Sequence, residues 1–173
     1  MVKTATFFDI TFGTYSKEEY MHQQELSKIP RQLRDHWEGR TGQVTVMGMI
    51  REYLIISHDL YPSPKYFASC RPDREVPPFI SDDVPPEFRP YVMTHEIYEG
   101  YHLRDQPHRC LRALEFELGS VPATRIRPYL RFRLTMFEAL LAFMKDPEHG
   151  PGYPPDAVSL ATEAQSHLKR LLR

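Results

Sequence analysis

Of the 16 prolines in this 173-residue chain, 8 fall between Pro62 and Pro90, and this clustering constrains the fold more than any other feature. Proline has no amide proton, and its ring clashes with the preceding helical turn, so no long helix can cross the stretch. Short extended pieces such as Tyr66-Phe67-Ala68 and Phe79-Ile80-Ser81 remain possible. The stretch reads as a structured loop or edge strand, not as a linker between domains.

On its N-terminal side, residues 2–12 are rich in Thr, Phe and Ile and predict a strand. Ser16 followed by Glu19 makes a capping box for a helix to about residue 37, which Pro30 would kink or divide. From Val44 to Leu60 the apolar residues recur at spacings of three and four, which predicts a buried helix despite the β-branched content. On the C-terminal side, Pro85-Pro86-Glu87 suits a helix entry, and a helix is expected over 86–103. Arg104-Asp105-Gln106-Pro107 ends it and opens a second, over 107–118. A third, 124–145, carries Leu130, Leu134, Phe137, Leu141 and Met144 on an apolar face and Arg125, Arg127, Arg131 and Arg133 as a basic, solvated stripe. A Pro- and Gly-rich turn at 147–155 precedes a last helix from Asp156. The expected architecture is one α+β domain over 1–173, mostly helical with a small sheet or edge strand.

Composition narrows the function classes. Apolar residues at 41% and charged residues at 26% fit a globular protein. A net charge of -1 gives no footprint for nucleic acid or an anionic membrane. No apolar run approaches the roughly 20 residues that span a bilayer, and Asp9 interrupts the N-terminal apolar patch where a signal peptide would need continuity. Cys70 and Cys110 are too few for a disulfide framework, so a reducing cytoplasm is the expected compartment and Cys110 is read as a small buried hydrophobe.

The chemistry concentrates in Thr94-His95-Glu96-Ile97-Tyr98-Glu99-Gly100. On a helix His95 and Glu99, at i and i+4, project from one face and can share a metal ion. Glu96 lies about 100° around the axis, placed to touch an activated water without ligating. Val92, Met93 and Ile97 on the same helix bring this face close to the core, where paired ionisable groups are costly unless compensated. A third ligand must come from elsewhere, and His108, a short turn further on, is within reach. Tyr98, Tyr101 and His102 are weaker candidates for an oxyanion contact.

The stretch from Phe79 to Glu99, a short strand and a Pro-led helix before His95-Glu96-x-x-Glu99, resembles small zincin-like metallopeptidases. His108-Arg109-Cys110-Leu111-Arg112-Ala113-Leu114-Glu115 resembles the H-x4-A-x-E ending of H-E-x-x-E relatives. The resemblance covers about residues 79–117. It implies a zincin-like metal-binding helix with His95, Glu99 and His108 as ligands, Glu96 as general base and a peptide or small amide as substrate. Glu115 lies too far along the helix from His108 to share its ion, and is expected behind a ligand as an acceptor. A carboxylate in place of the second histidine keeps zinc as the expected ion and admits iron or manganese. The expected activity is that of a metal-dependent hydrolase.

Two other classes compete. Glu19/His22 and Glu99/His102 both have the E-x-x-H spacing of di-iron carboxylate bundles, with Glu138 or Glu163 to complete them, which would make an oxidase or oxygenase. The third class is a helical binding protein without catalysis.

Overall fold

The computed structural model describes residues 2–3, 14–15, 37–58, 63–74 and 76–173. Two short segments, β1 (Val2–Lys3) and β2 (Thr14–Tyr15), pair antiparallel. The rest of the strand expected over 2–12 and the helix expected from Ser16 lie outside the described residues.

The expected helix at 44–60 is a β-hairpin instead. β3 (Trp37–Val46) and β4 (Met49–Ile56) pair antiparallel, joined by Met47 and Gly48. Both turn residues have positive φ, 51° and 76°, as a tight two-residue hairpin turn requires. The helical spacing misled because the end of β4, Tyr53-Leu54-Ile55-Ile56, is buried on both faces. A strand buried on both faces shows no alternation.

Within the proline-rich stretch, β5 (Ala68–Arg71) and β6 (Val76–Ser81) complete a four-stranded mixed sheet in the order β3-β4-β6-β5. β6 runs parallel to β4 and antiparallel to β5. It is thus an interior strand, with Pro77 and Pro78 ahead of its paired Phe79 and Ile80. Four helices follow: α1 (Arg89–His102), α2 (Arg109–Ser120), α3 (Ile126–Lys145) and α4 (Ala157–Leu171). The chain is an α+β protein, and none of its described helices is long and apolar enough to cross a membrane.

Two apolar clusters set the relation of sheet to helices. Tyr53, Ile55 and Ile80 from the sheet pack with Val92, Met93 and Ile97 of α1 and with Tyr129 and Met136 of α3. Leu114, Leu130, Phe137, Leu141, Ala164 and Leu168 join α2, α3 and α4. The opposite side chains of the sheet, Leu54, Ile56 and Phe79, form a smaller cluster with Phe67.

Helix α1 is pinned at both ends. At its start the Arg89 guanidinium donates to the carbonyls of Val84 and Asp82, each at 2.9 Å. Near its end Gly100 lets the helix lie against β5: a β-carbon there would sit 2.8 Å from the Cys70 carbonyl oxygen and 3.2 Å from its sulfur. A glycine inside a helix costs roughly 0.5–1 kcal/mol relative to alanine. Here it permits the close approach that fixes α1 beside the cleft.

Candidate metal centre

α1 carries two buried polar residues into the core, Thr94, which donates back to the Pro90 carbonyl at 2.8 Å, and His95, followed by the half-buried Glu96. His95 is 2% exposed, so every polar neighbour of its ring matters. Nε2 faces Glu99 Oε2 at 3.1 Å and the Cys110 sulfur at 3.8 Å. On the far side Nδ1 lies 2.9 Å from Glu117 Oε2. That contact is close but poorly aligned, and Nδ1 makes no hydrogen bond of good geometry.

Glu117 is fully buried, and both of its oxygens are held. Arg133 grips it in a fork, Nε to Oε1 at 2.7 Å and Nη2 to Oε2 at 2.9 Å, and the Tyr129 hydroxyl donates to Oε1. The guanidinium is itself enclosed, with the Met136 sulfur 2.9 Å from Nη1 and its carbon 4.9 Å above the Phe137 ring. Bidentate pairing is the geometry in which a buried carboxylate and guanidinium best offset their lost hydration. Glu99 is anchored in turn by Arg109, whose Nε lies 3.2 Å from Oε1 and whose Nη1 donates to Asp156 at 2.9 Å.

These neighbours shift the acids and bases in opposite directions. Burial disfavours charge on Glu117, yet the Arg133 charge and His95 hold its carboxyl below the usual range. Burial likewise works against the Glu99 carboxylate, and the His95 and Arg109 contacts outweigh it. His95 loses hydration too, but its contacts with Cys110, Glu117 and Glu99 raise it well above an ordinary histidine and favour the protonated ring. Burial pushes the Cys110 thiol up, against the pull of His95. Glu96 has no arginine fork of its own. Burial lifts its carboxyl to about 7, against the pull of the His95 and Arg133 charges, which outweigh the opposing push of Glu99 and Glu117.

His95, Glu99 and Cys110 each bring one ligand atom into a group whose members lie within 4.8 Å of one another. All three, with Glu96, line a cleft of about 620 Å³ walled by β5 and by all four helices. The donor set suits a divalent ion on charge grounds. Binding would displace one proton from His95 and one from Cys110, because metal ligands must be deprotonated. Two protons exchanged for one divalent cation leave the net charge unchanged, so the surrounding Glu117–Arg133 and Arg109–Asp156 pairs stay balanced.

The structure places the expected site residues unevenly. His95 and Glu99 converge, and Glu96 lines the same cleft. His108 does not join them. It caps the start of α2 in a left-handed conformation, φ 55°, with its ring pointing to Glu163 at 2.7 Å and 64% of its side chain exposed. Cys110, two residues further on, completes the group instead. Glu115 is exposed on α2, and Glu117 occupies the place expected for it behind the histidine. Arg133, expected on a solvated stripe, is buried against Glu117.

The signal for the missed pair was present in α2. Cys110, Ala113, Leu114 and Glu117 follow the i, i+3, i+4, i+7 pattern of one buried face. A carboxylate on that stripe needs a buried cation, and Arg133 sits on the matching stripe of α3 with Tyr129, Leu130, Met136 and Phe137.

The remaining candidates are accounted for by packing. Tyr98 stacks on Phe116 with ring centres 3.9 Å apart, and Arg51 sits 4.3 Å over the exposed Tyr101 ring. His102 is exposed beside Tyr98, and Glu138 is exposed on α3. Glu99 and His102 therefore form no shared site, while Glu19 and His22 lie outside the described residues. Comparison with protein-family models, with curated proteins and with solved structures finds no match for this chain.

Proposed function

We propose that this protein is a metal-dependent hydrolase of peptide or small amide bonds, with one divalent ion held by His95, Glu99 and Cys110. The observation that carries the reading is the convergence of these three side chains, from two helices, in the wall of a cleft that also presents Glu96. A thiolate in the donor set favours zinc over the harder iron and manganese ions. Bound there, the ion would polarise the substrate carbonyl and acidify a water. Glu96 receives the water's proton and passes it to the departing amine. In the metal-free protein burial raises the Glu96 carboxyl to about 7, and a carboxylate made more basic than usual is the better proton acceptor for that role. Glu117 and Arg133 keep the His95 ring in place, and such outer partners commonly decide ligand orientation.

The test is zinc stoichiometry on protein purified without chelator, followed by turnover on an amide panel. One zinc per chain is expected in the native protein and in Glu96→Gln, with turnover in that variant reduced by roughly 10²-fold or more. Full turnover in Glu96→Gln would remove it from the reaction, and zinc retained equally by His95→Ala and Cys110→Ser would end the metal reading.

A further inference from the structure

The cleft has a second part that the proposed chemistry does not use. Arg133 and Phe137 lie at the level of His95, the Phe137 ring meeting the histidine edge-on at 6.3 Å. From there Leu140, Phe143 and Met144 continue the lining along α3, and Leu160 and Ala161 of α4 line it too. Phe137 to Met144 is seven residues, about 10 Å of helix. No acidic or basic side chain of α3 lines the cleft beyond Arg133.

From this we infer that the site takes amides whose acyl part is an unbranched aliphatic chain, laid along α3 from Phe137 toward Met144 with its carbonyl at His95. The inference rests on the metal reading for where the carbonyl sits, and on the cleft alone for where the chain lies. The wall residues suit that occupant. Met144, Leu140 and Leu160 are flexible aliphatic side chains that can close around a narrow chain, and methionine in particular fills irregular gaps. Arg109 and Asp156 also line the cleft near α4 but are paired with each other at 2.9 Å, so a charged acyl group laid along α3 would lose its hydration without a counter-charge from that helix. Each methylene that becomes buried is worth about fourfold in affinity, so length discrimination is the readout.

Two probes separate the chain-binding claim from the metal claim. In zinc-free protein, octanamide should shift the Met144 methyl resonance saturably, and Leu140→Trp, which fills the arm at a half-buried position, should abolish the shift. In zinc-loaded protein, octanohydroxamate should bind at least about thirtyfold more tightly than acetohydroxamate, with the preference collapsing below threefold in Leu140→Trp while acetohydroxamate affinity is retained. An unmoved Met144 methyl in the native protein overturns the inference whatever the metal content. Equal affinity for the two hydroxamates overturns it as well. A saturable methyl shift in a protein that takes up no zinc would leave the aliphatic arm standing and sink the metal reading instead.

Discussion

Cutting the Glu117–Arg133 fork is the perturbation whose size the structure sets most directly. Arg133 is 2% exposed and Glu117 is 0% exposed, so neither charge can be rehydrated in place when its partner is lost. Removing one member of such a pair costs about 3–5 kcal/mol, most of it the penalty of the abandoned charge. For a chain of this length each kcal/mol moves the melting temperature by about 2–4 °C, so Arg133→Met should lower it by about 6–20 °C. Glu117→Leu strands the guanidinium and should cost a similar amount. The double variant removes both charges and should be less damaging than the sum of the two by at least about 2 kcal/mol, which is the coupling expected of a buried contact pair. Urea unfolding of the four proteins closes the cycle. The milder Glu117→Gln keeps the shape and isolates the second consequence: with His95 losing its charged neighbour, zinc affinity should fall by about 10–100-fold. If the single losses simply add, or if either is below about 1 kcal/mol, the fork is not the buried brace described here.

Other expectations follow from individual contacts. His108→Ala should leave zinc stoichiometry unchanged, since its exposed ring meets Glu163 and not the cluster, whereas Cys110→Ser should lower zinc affinity at least tenfold in a calorimetric titration. Gly100→Ala should destabilise the fold by about 1–3 kcal/mol, the usual cost of overpacking, because the new methyl group would meet the Cys70 carbonyl at 2.8 Å. Zinc uptake should release protons and weaken as pH falls. In the metal-free protein the contacts of His95 favour its protonated form and burial pushes the Cys110 thiol up, so ligation must displace those protons, and acid favours the forms that cannot ligate. Titration in two buffers of different ionisation enthalpy measures the release, and a pH-independent affinity would refute the assignment of these two ligands.

The C-terminal half was legible because its helices are amphipathic and flanked by strong stops. The expected spans 86–103, 107–118 and 124–145 differ from α1, α2 and α3 by three residues or fewer at each end. The hairpin was not legible by periodicity, since Tyr53 to Ile56 is buried on both faces, although Met47-Gly48 between two apolar runs was a turn signal available beside it. His95 and Glu99 were readable because i, i+4 spacing fixes their mutual position within one helix. The third member of the cluster was not, because it depends on how the 103–108 turn sets α2 against α1. His108 adopts positive φ there, which turns its ring outward and brings the next inward face of α2 into play two residues later. The same two-residue offset moved the supporting carboxylate from Glu115 to Glu117.

The cluster also contains the elements of a thiol nucleophile, with Cys110, His95 and Glu117 in sequence across 3.8 Å and 2.9 Å. Glu99 decides between that arrangement and a metal centre. A thiolate nucleophile needs a neighbouring cation and no competing anion, yet the Glu99 carboxylate stands on the same nitrogen of His95 as the sulfur, at 3.1 Å. Burial pushes the Cys110 thiol up against the pull of His95, and the negative charge of Glu99 works on the side of burial. Together with Glu117, Glu99 also favours a proton on His95, so the ring is poorly placed to take the thiol proton. A divalent cation reverses each of these disadvantages: it binds the carboxylate, the imidazole nitrogen and the sulfur together, and it supplies the positive charge that makes the thiolate the stable form. The three groups obstruct one another as a proton relay and complement one another as ligands, which is the physical reason for reading them as a metal site.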